Sequence, residues 1–381
     1  MAKILFISSM DWLPWGGSEE LCAQTALELR KAGHDVVFCR KGWTPKPVQV
    51  THLLEHGCRF IFRYPPPVAM FPRILRKIQR TLNYKAPSNQ TWGKILEERP
   101  DLICITEGSV AEGIEWSALC QGANIPYATV SHGNSEKWWP EDQQASRLIE
   151  AYSGAAACFF VSDRNKELFE DQVGFRFPNA HIVRNPYKSS DATIDWPIEE
   201  EFAIALVSRF EPKVKGQDLA IKVFGLPKWR ERPLGLRLYG DEHGFGESLR
   251  RLAQIHGALK VDFMGHVDDP SKIWESNHAL LIASRNEGLP IVLVEAMQAG
   301  RMAVATDVAG NTELVEEGVT GFVAKAPTVE LIDDALEKAW QNRHHWREMG
   351  LRAKAKVAQT MPSNPGKVFS ERLLTLVGAT A

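Results

Sequence analysis

Short apolar runs rich in β-branched residues alternate with longer amphipathic segments along most of the chain. The first run, Ile4–Ser8, precedes a helical pattern over Ser18–Lys31 and a second run at Asp35–Cys39. Such alternation is typical of parallel sheets, because a crossover between two parallel strands needs a dozen or more residues and is usually a helix. The sequence therefore predicts an α/β fold of doubly wound parallel sheets.

The alternation stops once and then restarts, which predicts two domains. Residues 185–201 are rich in Pro, Ser and Asp and show no periodicity. We therefore expect one domain over residues 1–186 and a second over residues 187–360. Open α/β sheets bind ligands at the carboxyl ends of their strands, so functional side chains are expected in the loops that follow strands.

The composition excludes several classes of protein. The formal net charge of −2 argues against a dedicated nucleic-acid binder. The six cysteines include no Cys-x-x-Cys pair, which favours buried thiols in a reducing compartment over disulfides or zinc ligation. No segment reaches the about 20 apolar residues of a membrane span. A cytoplasmic protein is therefore expected.

Residues 71–85 interleave basic and apolar side chains after a run of three prolines. The pattern fits an amphipathic helix on an anionic surface, which would give the protein peripheral contact with the inner face of a membrane. It equally fits a solvated helix packed on the first domain, and the sequence leaves both interpretations open.

Two glutamates lie eight positions apart where a predicted strand, Ala279–Ile282, leads into a helix. Glu287 lies in the connecting loop and Glu295 on the helix. Backbone amides at a helix start bind anions, and a carboxylate beside such a site suits hydroxyl groups as partners. Two ordinary solvated acidic side chains are the alternative.

Two cations follow the first predicted strand of the second domain. Arg209 and Lys215 lie in the loop after Phe202–Val207, before the next helix. A guanidinium forms paired hydrogen bonds to phosphate and an ammonium acts as a point charge, so the two can hold a diphosphate and stabilise it as a leaving group. Two surface cations beside a turn are the alternative.

The first domain carries three features at the ends of predicted strands. Gly16 and Gly17 lie at the start of the first helix, where glycines let a phosphate or sugar approach the backbone closely. His132 follows the strand Tyr127–Val130, and Glu107 follows another predicted strand. A single histidine is also common in structural positions, and no specific role follows for Glu107.

Together these stretches resemble glycosyltransferase family four, whose members are retaining enzymes with the GT-B fold. The spacing of the two glutamates is similar to the family's Glu-x7-Glu signature, and residues 299–322 resemble the stretch that follows it. Residues 208–218 resemble the family's Gly-Arg…Lys-Gly-x-Asp loop, and residues 16–36 resemble its glycine-rich start. Arg301 and Met302 depart from the pattern, because they stand where the family usually has a proline.

The resemblance implies two facing Rossmann-like domains with an inter-domain cleft, and a C-terminal helix within residues 361–381 that crosses back to the first domain. It implies transfer of a sugar, with retention of anomeric configuration, from a nucleotide diphosphate donor to a glycan or glycolipid acceptor in cell-surface polysaccharide synthesis. UDP is the family's commonest donor nucleotide, and GDP and ADP remain open. No cofactor and no metal are implied, and the chain has no Asp-x-Asp triplet of the kind that holds a metal in other glycosyltransferases.

The resemblance also implies roles for individual residues. Glu287 would hold hydroxyls of the donor sugar and Glu295 the ribose. Arg209 and Lys215 would hold the diphosphate, and His132 would contact the sugar. The other implied donor contacts are Gly16 and Gly17 at the phosphates, the backbone of Gly265, His266 and Val267 at the base, and Gly288, Leu289, Pro290 and Ile291 at the helix start.

Acceptor contacts are expected in the first domain, from aromatic faces that stack on sugar rings and from one carboxylate. The candidates are Trp15, Trp138, Trp139 and Glu107. Packing in the core is the alternative for each tryptophan. The alternative functions are a nucleotide-sugar epimerase, a non-catalytic subunit that binds a nucleotide-sugar, and a nicotinamide-dependent dehydrogenase. The last would need a Gly-x-Gly-x-x-Gly run after the first strand, which the chain lacks.

Overall fold

A computed structural model describes residues 1–63, 88–187, 194–198 and 201–380. Residues 71–85 lie outside the described residues, so their contact with a membrane stays a prediction. Across the described ranges, no helix is both long enough and apolar enough to cross a membrane. The contacts divide the chain into two compact units, which are Met1–Pro186 with Asn364–Ala381, and Tyr187–Ser363.

The first unit is built on a parallel sheet with the strand order 3-2-1-4-5-6-7. Its central strands are buried almost throughout, because helices cover both faces, and this is why they read as continuous apolar runs. The strands are Lys3–Ser8 (β1), Asp35–Lys41 (β2), Arg59–Arg63 (β3), Leu102–Glu107 (β4), Tyr127–Ser131 (β5), Ala157–Phe160 (β6) and Ala180–Ile182 (β7).

The helices of this unit begin and end at residues that suit helix termini. The Ser88 and Ser162 hydroxyls accept hydrogen bonds from amides of the first turn, at 3.2 Å in both cases. Gly174 ends the helix that Ser162 begins, in the left-handed conformation. The helices are Gly17–Lys31 (α1), Val48–Glu55 (α2), Asn89–Glu98 (α3), Ile114–Gly122 (α4), Asp142–Ser153 (α5) and Asp163–Val173 (α6).

The second unit repeats this design, and the order of its parallel sheet is 10-9-8-11-12-13. Its strands are Phe202–Val207 (β8), Leu234–Tyr239 (β9), Val261–Gly265 (β10), Ala279–Ile282 (β11), Met302–Thr306 (β12) and Gly321–Ala324 (β13). Its helices are Pro212–Lys215 (α7), Gln217–Phe224 (α8), Pro227–Glu231 (α9), Gly246–His256 (α10), Ser271–Ser276 (α11), Ile291–Gln298 (α12), Asn311–Leu314 (α13), Val329–Gln341 (α14) and Trp346–Thr360 (α15).

The last helix, Pro365–Thr380 (α16), belongs to the first unit. It packs against α1, and its Phe369 and Leu373 are fully buried in the core beside β1 and β4. The rings of Phe369 and Phe159 meet edge to face, with centroids 4.9 Å apart. Burying two large apolar side chains contributes roughly 3–6 kcal/mol, so α16 is a structural part of this unit.

Both sheets are doubly wound, as predicted. Each has a switch point at which the chain changes direction across the sheet, between β1 and β4 in the first unit and between β8 and β11 in the second. In such sheets ligands bind beside the carboxyl ends of the strands at the switch point. The predicted cations and glutamates follow β8 and β11, and the predicted glycines and Glu107 lie at the ends of β1 and β4.

Candidate functional site

The main chains of the loops after β8 and β11 are locked together. Gly216, the residue after α7, has a φ of +70°, and a Cβ there would lie 1.9 Å from the carbonyl oxygen of Ala283. The amide of Arg285 donates a hydrogen bond to the carbonyl oxygen of Val214 at 2.7 Å. Glycine is therefore required at position 216 both by the backbone conformation and by the close approach of the second loop.

The Arg285 side chain ties the same loops a second time. Its Nη1 and Nη2 donate to the two carboxylate oxygens of Asp218 at 2.7 and 2.8 Å, and Nη1 also donates to the carbonyl oxygen of Pro212 at 2.6 Å. No role for Arg285 or Asp218 was predicted from the sequence. The signal was available, because both lie within the family-like stretches and carry opposite charges.

Lys215 and Glu287, predicted to bind different parts of the donor, are in direct contact. Lys215 Nζ lies 2.8 and 2.9 Å from the two carboxylate oxygens of Glu287. The Ser284 hydroxyl donates to the same carboxylate at 2.6 Å. The lysine therefore already has a counter-charge, and a phosphate that binds here must share the ammonium with Glu287.

Arg209 is paired with a residue that the sequence analysis did not single out. Its Nε and Nη2 lie 2.8 and 2.7 Å from one carboxylate oxygen of Glu211. Both side chains are partly exposed. The guanidinium is thus held at the end of β8, and its position depends on Glu211.

Four of the predicted donor residues line one pocket of about 260 Å³ in the second unit. They are Arg209, His266, Val267 and Glu295. Tyr239, Asp241 and Trp274 complete its wall with both apolar and acidic surface. The space between the ends of β8, β9 and β10 can therefore hold a flat ring, with a carboxylate and a guanidinium at its rim.

The helix-start residues differ in what they can offer a ligand. Leu289 is only 4% exposed, so its side chain packs in the core. Pro290 precedes α12 and has no amide hydrogen to donate. Gly288 accepts a hydrogen bond from the Gly310 amide at 2.9 Å, which anchors this loop to the one after β12. An anion at this helix start would meet main-chain amides, such as those of Leu289 and Ile291, to which Pro290 cannot add, and the donor contacts of these residues stay a prediction.

In the first unit, Gly16 directly precedes α1 and exchanges two hydrogen bonds with Glu19. The Gly16 amide donates to Glu19 Oε2 at 2.9 Å, and the Glu19 amide donates to the Gly16 carbonyl oxygen at 3.1 Å. This reciprocal pattern is a capping arrangement. Ser8 at the end of β1 donates to Glu19 Oε1 at 3.1 Å. Burial raises the pKa of Glu19 to about 7, against the lowering effect of the nearby Arg40 charge. Trp15 is half-buried, and its Nε1 donates to Glu20 at 2.6 Å.

His132 is buried at the end of β5, and both of its ring nitrogens have partners. Nε2 lies 3.2 Å from Thr106 Oγ1, and Nδ1 lies 2.9 Å from Asn185 Oδ1. Burial lowers the pKa of His132 to about 4, so the ring is neutral at pH 7. A sugar contact through a ring nitrogen would require His132 to exchange one of these partners.

Glu107, a predicted acceptor-side residue, lies in the interior of the first unit. The side chain is fully buried, and its carboxylate accepts hydrogen bonds from Tyr152 Oη at 2.5 Å, Ser131 Oγ at 2.7 Å and the Gly113 amide at 2.7 Å. Burial raises the pKa of Glu107 to about 7. Glu107 therefore joins β4, β5, α4 and α5 in the interior and does not meet an acceptor.

The two tryptophans after β5 differ in exposure. Trp139 is 62% exposed and presents a free face for stacking. Trp138 packs against the core of the first unit, and its carbonyl oxygen accepts a hydrogen bond from Gln172 at 2.5 Å. Of the pair, Trp139 is therefore the better candidate for acceptor contact.

All six cysteines are buried free thiols, as predicted.

Comparisons of sequence place the chain among glycosyltransferases. The family profile described as "Glycosyl transferases group 1" matches residues 193–356, and that of "Glycosyltransferase Family 4" matches residues 15–190. N-acetyl-alpha-D-glucosaminyl L-malate synthase of Bacillus anthracis is 30% identical over 372 residues, which are 93% of this chain and 92% of that protein. An uncharacterized glycosyltransferase of Haemophilus influenzae is 23% identical over 343 residues, 88% of this chain and 89% of that one.

Solved structures share the fold at lower identity. HepE of Anabaena, determined in complex with UDP, aligns over all of both chains with a TM-score of 0.75 and 18% identity. Sucrose-phosphate synthase of Thermosynechococcus elongatus aligns over all of both chains with a TM-score of 0.76 and 17% identity. The predicted GT-B class, with two Rossmann-like domains, is confirmed. The chain therefore belongs to glycosyltransferase family 4 and is a glycosyltransferase of group 1.

Proposed function

We propose that this enzyme transfers a sugar from a UDP-sugar to an acceptor hydroxyl, with retention of anomeric configuration and without a metal ion. The pocket lined by Arg209, His266, Val267 and Glu295 carries the proposal, because it gathers in one place four residues that the family resemblance assigns to the donor. In this assignment the backbone at His266 and Val267 meets the base, and Glu295 accepts hydrogen bonds from the ribose hydroxyls.

The diphosphate would extend from that pocket towards Lys215. Arg209 and Lys215 supply two positive charges, and Glu287 beside Lys215 would accept hydrogen bonds from the hydroxyls of the sugar. The Lys215–Glu287 contact suits this arrangement, because it joins a phosphate ligand to a sugar ligand. A rigid pair of this kind would place the sugar relative to its leaving group.

In the proposed reaction the acceptor oxygen forms a bond to the anomeric carbon on the face from which UDP leaves. The bond between that carbon and the phosphate oxygen breaks, and the leaving phosphate takes the acceptor proton. Arg209 and Lys215 stabilise the negative charge that builds on UDP, which is the task a metal performs in other enzymes.

The proposed acceptor is a glycan or glycolipid hydroxyl, in cell-surface polysaccharide synthesis. The name of the Bacillus anthracis relative favours a second candidate, because it joins a sugar to L-malate, a small hydroxy acid. Location in the cytoplasm and contact with a membrane through residues 71–85 are parts of the same proposal.

Calorimetry with UDP, GDP and ADP, followed by incubation of UDP-sugars with candidate acceptors, tests the proposal. We expect UDP to bind most tightly and NMR of the product to show the anomeric configuration of the donor. Transfer to malate but not to oligosaccharides would select the second acceptor class. Inversion of configuration, or tighter binding of GDP or ADP, would contradict the proposed donor and mechanism.

A further inference from the structure

Beneath residues 14–17 of the first unit, which we call the glycine loop, lies an ion pair from which water is excluded. Glu19 on α1 and Arg40 on β2 are 3% and 2% exposed, and Glu19 Oε1 lies 3.7 Å from Arg40 Nη2. Removing two charges from water costs free energy that their attraction often fails to offset. Stability alone therefore does not explain the pair.

The contacts of the pair converge on the glycine loop. Glu19 holds the amide of Gly16. Arg40 Nη2 donates to the carbonyl oxygen of Pro14, and the guanidinium carbon lies 4.8 Å from the centre of the Trp15 ring. Three successive loop residues are thus each held by one member of the pair.

Arg40 contacts the glycine loop, but its own hydrogen-bond donors are only partly satisfied. Its Nε and Nη1 are buried, and among the described residues they have no hydrogen-bond partner. Buried donors without partners cost free energy. The Arg40 side chain therefore lies where it contacts Pro14 and Trp15, although this position leaves two of its own nitrogens without hydrogen bonds.

We propose that Arg40 and Glu19 are positioning residues for sugar transfer, which fix the shape of the glycine loop before substrate binds. The proposal rests on the proposed function, because it requires Gly16 and Gly17 to contact a substrate. Groups held in place in advance need no reorganisation as the transition state forms. Loss of the pair should therefore lower kcat, and it should weaken UDP binding to a smaller extent, because most of the residues assigned to UDP lie in the second unit.

The double variant Arg40→Met/Glu19→Gln is the sharpest test, because it leaves no unpaired charge in the interior. The glutamine can still accept the hydrogen bond from Gly16. We expect the unfolding temperature to stay at the wild-type value and the Kd for UDP to rise much less than kcat falls. We expect faster hydrogen exchange in peptides that cover the glycine loop and a kcat for transfer about 10- to 100-fold lower.

Two single variants refine the test. Arg40→Lys keeps the charge, but an ammonium cannot both reach the Pro14 carbonyl and stack on Trp15, so we expect an intermediate kcat. Lys31→Met removes an exposed charge at the other end of α1 and serves as the control. It should keep the wild-type kcat and the wild-type hydrogen exchange of the glycine loop.

The possible outcomes separate this proposal from the proposed function. A double variant with wild-type kcat, or with a loss of kcat that only matches a loss of folded protein, overturns the positioning role. A wild-type protein that transfers no sugar from any nucleotide donor overturns the proposed function and this proposal with it. In that case the exchange of the glycine loop in the variants still reports whether the pair holds its shape.

Discussion

The guanidinium of Arg285 and the carboxylate of Asp218 form a bidentate salt bridge, with nitrogen–oxygen distances of 2.7 and 2.8 Å. The bridge joins the loop after β11 to the start of α8. Arg285 also binds the Pro212 carbonyl oxygen at the first residue of α7, the helix that ends at Lys215. The bridge therefore sets the position of Lys215 relative to Glu287.

Replacing Asp218 with Asn should lower kcat for transfer about tenfold, because an uncharged amide binds the guanidinium fork less strongly and lets Lys215 shift. Steady-state kinetics with saturating donor provide the measurement. Lys338→Met removes an exposed ion pair with Glu317 in the same unit and should leave kcat unchanged. Equal kinetics for Asp218→Asn and wild type would mean that the bridge does not position Lys215.

Lys215→Ala should reduce transfer about 100- to 1,000-fold, which is the effect of removing one group that stabilises charge in a transition state. Circular dichroism should show an intact fold, because the Lys215 side chain, 18% exposed, contacts Glu287 and is not part of the hydrophobic core. Turnover close to that of wild type would contradict the proposed contact with the diphosphate.

Arg301→Met should lower the free energy of unfolding by about 3 kcal/mol, because it leaves several buried carbonyl groups without a donor. Arg301 is 2% exposed and donates to the carbonyl oxygens of Asn277, Ala299, Asp195 and Trp274 at 2.5–2.9 Å. Urea denaturation gives the measurement. The exposed Arg251→Met on α10 is the control and should change stability by less than about 0.5 kcal/mol.

Glu107 should make stability depend on pH. Its pKa of about 7 lies above the ordinary 4.5, so its stabilising effect is complete below pH 4.5 and is lost as the pH rises through 7. His132 acts in the opposite sense, because its pKa of about 4 lies below the ordinary 6.5 and its contribution is lost as the pH falls from 6.5 to 4. The wild-type curve alone therefore isolates neither residue.

The variant Glu107→Gln isolates the carboxyl group. We compare the free energies of unfolding of wild type and variant at each pH. The difference, wild type minus variant, should fall by up to about 3 kcal/mol as the pH rises from 4.5 to 8. Urea titrations at several pH values would show this difference. The exposed Glu247→Gln serves as the control. A difference that does not vary with pH would show that Glu107 is not protonated in the folded protein.

Chelation should leave transfer unchanged, because the proposed stabilisation of UDP relies on Arg209 and Lys215. Assays with and without EDTA, each repeated with added Mg²⁺ or Mn²⁺, give the answer. A strict requirement for either ion would refute the metal-free mechanism.

The strands could be predicted closely from sequence, and the side-chain pairs could not. Phe202–Val207 and Ala279–Ile282 match to the residue, because buried parallel strands are apolar on both faces. The partners Asp218 and Arg285 lie 67 positions apart. They meet only because β8 and β11 are neighbours in the sheet, and hydrophobic periodicity does not reveal strand order.

Glu107 illustrates a second limit. Its place at the end of a strand was predicted, and functional side chains often lie there. The direction of the side chain depends on Tyr152 and Ser131, which come from a helix and a strand further along the chain. The sequence therefore does not show whether a carboxylate at a strand end faces solvent or the interior.

The position of α16 affects how the chain acquires its structure during synthesis. The first unit lacks Phe369 and Leu373 until the ribosome has made all of the second unit, so the half that is translated first is completed last. Until then the surface of α1 that receives those side chains stays open to water and to other nascent chains. A truncation before Pro365 would make that exposure permanent, and the first half of the gene expressed alone would yield an unfinished core.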